Sequence, residues 1–211
     1  MSTLSDLRKN YQRSELREED APTDPNVLFQ QWLDEAIQSG ISEPSAMTLA
    51  TVGEGNRPTV RIVLLKAFDP DRLVWFTNYQ SRKGKELVQH PQAALLFHWI
   101  DLERTVRIEG EVSKISAAES DAYYQSRPLG SRIGAWASAQ STVVSGREEL
   151  ETRFRSAEQT HGEHPARPPF WGGYQLRPDY WEFWQGRPSR LHDRLAFRSE
   201  DGQWVRERLS P

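Results

Sequence analysis

The chain has 211 residues and no cysteine, with 27 Lys and Arg against 30 Asp and Glu for a formal net charge of −3. The missing cysteine excludes disulfides, thiolate metal sites and cysteine nucleophiles, and the charge balance argues against a protein built to coat nucleic acid or anionic lipid, so any anion site must be a local cluster of Lys and Arg. The longest apolar run, "AALLFHWI" from Ala93 to Ile100, falls far short of the ~20 residues of a membrane span, and the charge-alternating N-terminus has neither the apolar core of a signal peptide nor the composition of a transit peptide, so the expected compartment is the cytoplasm.

Residues 1–24 are polar and charged and are expected to form a mobile N-terminal arm ahead of a single domain spanning 25–211. "DPNVLFQQWLDEAIQSG" carries strong helix punctuation: Asp24 to cap, Pro25 for the first turn, Gly40 to end it. Val27, Phe29, Trp32, Leu33, Ala36 and Ile37 give it a mostly one-sided apolar stripe. From Ser45 the period changes. "SAMTLATV", "PTVRIVLLKAF", "RLVWFTN", "AALLFHWI" and "RTVRIEGEVSKI" are short, rich in β-branched and aromatic residues, and separated by Gly, Pro, Asn and Asp. "SRKGKELVQHP" interrupts them as a short helix with Ser81 as its cap.

Two helices follow, "SAAESDAYYQSRP" and "SGREELETRFRSAEQTHG", where Ser116 with Glu119 and Ser145 with Glu148 match capping boxes. "WGGYQLRPDYWEFWQG" and "RLAFRSEDGQWVRERL" return to strands, the last pair turning at Asp201-Gly202. The expected class is α+β, mainly antiparallel β, in a barrel-like arrangement. No Gly-rich nucleotide loop is present.

Four basic clusters could carry chemistry. In "RIVLLK" strand alternation points Arg61 and Lys66 to opposite faces, so either a bulge intervenes or the two serve different groups. Arg82, Lys83 and Lys85 sit at the start of a helix, where basic residues oppose the dipole unless an anion binds there. Tyr123 and Arg127, at i and i+4, share a helix face, and Ser131 follows a turn that can bring its hydroxyl alongside as a phosphate-monoester cradle. Arg190, His192 and Arg194 alternate, so on a strand they share one face and repel unless an anion or a carboxylate lies between them. His161 and His164 lie in a Pro/Gly loop, and no metal site is expected. Together the clusters call for two anions, a phosphorylated cofactor and a phosphorylated substrate.

In order along the chain, "RIVLLK", "FTNYQSRKGKEL", "YYQSRPLGSRIGAWASAQS", "FWGGYQLRP", "EFWQGRPSRLHDR" and the terminal "RLSP" resemble the pyridoxine/pyridoxamine 5′-phosphate oxidases, an FMN-dependent family with a split β-barrel fold. The resemblance implies oxidation of pyridoxine or pyridoxamine 5′-phosphate to pyridoxal 5′-phosphate, with O₂ as acceptor, in a homodimer holding FMN at its interface. At matching positions it implies FMN contacts from Arg61, Ile62, Val63, Leu64, Leu65, Lys66, Phe76, Thr77, Arg82, Lys83, Gln140, Ser141, Trp184 and Arg194. It implies a substrate-phosphate cradle of Lys66, Tyr123, Arg127 and Ser131, with Arg190, Leu191 and His192 at the substrate ring, Arg190 and His192 being the catalytic pair. Arg8 and Tyr11 match arm residues that close over the active site. One position departs: Thr105 stands where the family has a flavin-contacting Gln, a contact that the shorter side chain would make through a water. Rival readings are another split-barrel flavoenzyme, a non-catalytic flavin or pyridoxal-phosphate carrier, and a nucleic-acid module; the last is disfavoured by net charge.

Overall fold

The structure, a computed structural model, describes residues 3–7 and 9–211. The strands are β1 (Ala46–Val52), β2 (Pro58–Leu64), β3 (Ala67–Asp69), β4 (Arg72–Asn78), β5 (Gln92–Trp99), β6 (Arg104–Lys114), β7 (Trp171–Gln185), β8 (Asp193–Glu200) and β9 (Gln203–Arg208). The helices are α1 (Pro25–Gln38), α2 (Arg82–Gln89), α3 (Ala117–Ser126), α4 (Leu129–Ala137) and α5 (Arg147–His161). The strands are hydrogen-bonded in the order β2-β1-β5-β6-β7-β4-β3, with β8 on β7 and β9 on β8. The pairings β3–β4, β4–β7, β7–β8 and β8–β9 are antiparallel, in line with the expected class. The chain divides into two compact units: Met1–Leu49 with Ala94–Gly110 and Pro178–Pro211, and Ala50–Ala93 with Glu111–Arg177.

The first unit is built on α1. Asp24 caps it by accepting from the Asn26 amide at 2.9 Å, and Gly40 follows its end at φ +79°. Its buried face is Leu28, Phe29, Trp32, Leu33 and Ala36, whereas Val27 and Ile37 are exposed. The expected stripe was therefore turned slightly: Leu28, not Val27, belongs to it. Phe29 packs at 5.2 Å from both Phe97 and Trp181, and Trp32 meets Phe183 edge-on at 5.3 Å, so aromatic contacts dominate this core. The segment after Tyr11 is tied to the same unit. The Gln12 and Arg13 amides donate to the buried Glu103 carboxylate at 2.9 and 3.0 Å, the Leu16 amide donates to Asp193, and Leu16 is buried.

In the second unit Ser81 caps α2, accepting from the Gly84 amide at 3.3 Å. A Cβ on Gly84 would come within 2.1 Å of the Tyr79 carbonyl oxygen, so only glycine lets the helix start this close to the preceding turn. Ser116 and Glu119 form the expected capping box of α3.

Four local expectations are corrected. Ser145 bonds Glu149, not Glu148, because Gly146 takes the cap position and moves the third helical residue on by one. Helix α4 was unforeseen, its Pro-Leu-Gly start reading as a turn; it buries Ile133 and Ala135. Arg127 lies outside α3 in extended conformation (φ −77°, ψ 149°), as the following Pro128 requires, so it shares no helix face with Tyr123. Arg190 and His192 are not on a strand: Ser189 and Arg190 adopt φ +58° and +61° in a turn, and β8 begins only at Asp193.

Candidate functional site

A cavity of about 540 Å³ opens in the second unit. Into it the structure gathers Ile62, Val63 and Leu64 from the end of β2, Lys66 just beyond, Phe76 and Thr77 of β4, Lys83 of α2, Tyr123 of α3, Arg127, Ser131 of α4, and Gln140. The Arg61–Lys66 question resolves by strand termination. Strand β2 stops at Leu64, and the Lys66 amide donates to the Val74 carbonyl at 2.8 Å. Lys66 thereby leaves the alternation that keeps Arg61 on the inward face with Thr59 and Val63.

Lys83 is buried, and its ammonium donates to Thr77 Oγ1 at 3.1 Å, Gln140 Oε1 at 3.2 Å and Ser81 Oγ at 3.5 Å. These acceptors are neutral, and no carboxylate among the described residues lies within ion-pair distance. Burial and then the nearby Arg61 guanidinium lower its pKa to about 8. A buried cation with only neutral partners at a helix N-terminus is an anion receptor in need of its anion.

A second receptor lies in the same cavity. The Arg127 guanidinium stacks over the Trp171 ring at 4.5 Å, and its buried Nη1 has no hydrogen-bond partner among the described residues. Burial lowers its pKa. Tyr123 stacks on Phe76 with ring centroids 3.7 Å apart and planes 16° apart, and Phe76 stacks in turn on Trp171 at 5.6 Å. The phenol's pKa is raised by burial, an effect that Arg127 partly opposes. Orphaned N–H groups and a wall of stacked rings fit a flat, phosphorylated ligand.

Arg61, Leu65, Arg82 and Ser141 do not line this cavity. Leu65 is buried in the core, and Ser141 takes φ +73° in the loop after α4. Arg61 and Arg82 both turn to Glu86. Its carboxylate accepts from Thr51 Oγ1 at 2.5 Å, Thr59 Oγ1 at 2.7 Å, Arg61 Nη2 at 3.0 Å and Arg82 Nε at 2.9 Å. Burial pushes the Glu86 carboxyl up, but the two threonine hydroxyls, Arg82 and Arg61 together hold it at about 2.

The remaining predicted residues belong to the first unit, apart from Arg8, which lies outside the described residues. Tyr11 stands edge-on to Trp184 at 5.6 Å and to His192 at 5.7 Å, and Trp184 and His192 are 4.6 Å apart. Tyr11, Trp184 and Thr105 line a small cavity of about 140 Å³. His192 Nδ1 accepts from the Arg187 amide at 3.1 Å. Burial first, and then Arg190, lower its pKa. Arg190 and Leu191 are exposed. Arg194 Nε and Nη2 reach Glu182 Oε1 at 2.9 and 2.8 Å, and Arg107 bonds the other oxygen of the same carboxylate. Glu182 is thus the carboxylate that makes Arg194 tolerable, so Arg194 needs no bound anion.

Sequence reasoning missed Trp171 and Asn78 in the cavity wall, and Glu86 behind it. Glu86 carried one signal, its i+4 spacing from Arg82. The threonines it meets, Thr51 and Thr59, lie on strands β1 and β2 and carried none.

Residues 33–161 match the sequence profile described as pyridoxamine 5′-phosphate oxidase, and residues 171–211 match that of the pyridoxine 5′-phosphate oxidase C-terminal dimerisation region. The chain is 58% identical over its whole length to the whole of a pyridoxine/pyridoxamine 5′-phosphate oxidase from Cupriavidus metallidurans, and 57% identical, again over both full lengths, to one from Burkholderia cenocepacia. Among solved structures it is similar to PhzG from Burkholderia lata in complex with tetrahydrophenazine-1-carboxylic acid: the TM-score is 0.86 at 30% identity, covering 92% of this chain and 95% of that one. A pyridoxamine 5′-phosphate oxidase-related, FMN-binding protein from Nostoc punctiforme superposes with a TM-score of 0.70 at 19% identity, over 90% of this chain and 98% of its own, and supports the split-barrel fold.

Proposed function

This chain belongs to the pyridoxine/pyridoxamine 5′-phosphate oxidase family, and from that premise we propose that it binds FMN and oxidises pyridoxine or pyridoxamine 5′-phosphate to pyridoxal 5′-phosphate. The observation that carries the reading is one cavity with two cationic receptors, Lys83 and Arg127, neither paired with a carboxylate among the described residues, beside a stack of aromatic rings. When bound, FMN would supply the two-electron redox chemistry of the oxidation, with O₂ as final acceptor and H₂O₂ as its product, and with water taken up and ammonia released when the substrate is the amine. Lys83, Thr77 and Gln140 would hold the cofactor's phosphate, with Phe76 beside its ring system. The homodimer, supported by the dimerisation region at 171–211, would hold FMN at its interface.

Lys66, Tyr123, Arg127 and Ser131 would grip the substrate phosphate. That group does not react, so binding energy gathered there can orient the carbon that does. Arg190 and His192 would act at the substrate ring. The Arg187 amide occupies His192 Nδ1, so the neutral imidazole carries its proton on Nε2. With its pKa lowered by burial and Arg190, the ring stays neutral near pH 7, and Nε2–H donates a hydrogen bond; it does not take a proton. Arg190 holds the ring and stabilises negative charge that develops on it.

The test is anaerobic. Pyridoxine 5′-phosphate added to the FMN-loaded protein should bleach the flavin, and air should restore its colour. A protein that binds FMN and stays oxidised with this substrate sinks the oxidase reading. Bleaching by a phosphate-free aromatic carboxylate instead would move the chain towards the chemistry of the Burkholderia lata neighbour.

A further inference from the structure

Glu86 does not line the cavity of Lys83, yet it is buried and joins Arg61 of β2 to Arg82 at the start of α2. Arg61 is further enclosed by the threonines that bond the same carboxylate: Nη1 donates to Thr51 Oγ1 and Nη2 to Thr59 Oγ1, each at 2.6 Å. The hydroxyls thus pass the guanidinium's hydrogen bonds on to the acid. The backbone also leaves room for this carboxylate, since a Cβ on Gly53 would stand 2.9 Å from Glu86 Oε1.

We propose that Glu86 is a positioning residue for phosphate recognition, holding Arg61 and Arg82 off the cavity wall and beside Lys83, so that their charge supports Lys83 as a preorganised receptor for a phosphate monoester. The inference rests on the reading that FMN binds here. Arg61, Arg82 and Lys83 outnumber the one carboxylate among them, so the group keeps an excess of positive charge that suits a phosphate monoester dianion. Arg61 and Arg82 repel each other across this cluster. A carboxylate bonded to both holds like charges together without waiting for the ligand. Taking it away would strip a half-buried guanidinium of the carboxylate it pairs with at 3.0 Å, and a cation that loses such a partner moves towards water. The guanidinium would then no longer be poised when the ligand arrives, and the binding energy would be spent on gathering it.

Removing the acid also makes the cluster more positive, and that alone would tighten any anion. Positioning and plain charge balance therefore predict opposite signs. The experiment titrates the apoprotein with FMN and, separately, with riboflavin, which lacks the phosphate, following quenching of flavin fluorescence. For Glu86→Gln we expect FMN affinity to fall about tenfold, as for loss of one charge-assisted contact, while riboflavin affinity changes less than about twofold. Thr59→Val keeps every charge, removes one strut of the same network and remains a test if Glu86→Gln does not fold; it should weaken FMN about threefold to fivefold and leave riboflavin alone. FMN binding that tightens or does not change in these variants overturns the proposal. So does an equal loss for both ligands, which would make Glu86 a general support of the unit. A wild-type protein that takes up neither flavin overturns the cofactor reading itself, and that arm is read independently of the variants.

Discussion

Tyr123 lies flat on Phe76, ring centroids 3.7 Å apart, with its hydroxyl left to the cavity and its pKa raised by burial. The stack fixes the ring, and the phenol is kept protonated as a hydrogen-bond donor. Tyr123→Phe separates the two contributions. The stack survives, so stability should change by less than about 0.5 kcal/mol, whereas KM for the phosphorylated substrate should rise about tenfold through one lost charge-assisted bond. Steady-state kinetics with thermal melts of the same preparations check both.

Arg127 predicts a trade between stability and binding. Its buried Nη1 has no hydrogen-bond partner among the described residues, and an unsatisfied buried donor costs about 1–3 kcal/mol. Arg127→Met keeps a long side chain over Trp171 without the orphan. We expect the ligand-free variant to melt no lower than wild type, while inorganic phosphate or pyridoxal 5′-phosphate raises the melting temperature of wild type alone.

Lys83 sets a pH dependence whose sign is fixed. Its pKa falls from 10.5 to about 8 in the folded protein, so the folded state disfavours the charged form. Without ligand, this strain is greatest below pH 8 and is relieved as pH rises from about 8 towards 10.5. An anion reverses the preference, because it binds the ammonium. FMN should therefore bind progressively more weakly as pH rises through 8, where its phosphate is already a dianion. Arg61 and Glu86 are the charges acting on Lys83, and neither titrates in this window. Dissociation constants at pH 7 and pH 9.5 should differ several-fold in wild type and coincide in Lys83→Met.

His192 can be followed without turnover. Burial and Arg190 lower its pKa below the ordinary value, so its imidazole resonances should titrate below pH 6.5 in wild type. Arg190→Met removes one of the two causes, and the midpoint should move up towards the ordinary value. An unmoved midpoint would separate the two side chains electrostatically.

Local chemistry made the frame legible. Asp24, Ser81 and Ser116 cap the helices that their side chains announce, and Asp201-Gly202 turns β8 into β9 with both residues at positive φ. Cavity residues such as Lys66, Tyr123 and Arg127 came from a likeness of motifs, and the structure gathers them by routes that spacing did not disclose: a strand that stops early, an extended residue before a proline, a helix opened by Pro128. What stayed hidden is non-local. Glu86 serving Thr51 and Arg61, and Glu182 serving Arg107 and Arg194, are choices of partner made between different elements, and a one-dimensional pattern carries no record of which acid a given arginine finds.

The tether at the start of the chain bears on the order of assembly. The Gln12 and Arg13 amides wait for a carboxylate about 90 residues downstream, the Leu16 amide for one 177 residues downstream, and the Leu16 carbonyl for Arg208, 192 residues away. During synthesis residues 12–16 therefore leave the ribosome well before the partners of these bonds, which come 90 to 192 residues later. The segment around Gln12 to Leu16 is made early and seated late, so a bulky group attached next to it would burden a closing step of folding, whereas the helices and hairpins that depend on local contacts would already have formed.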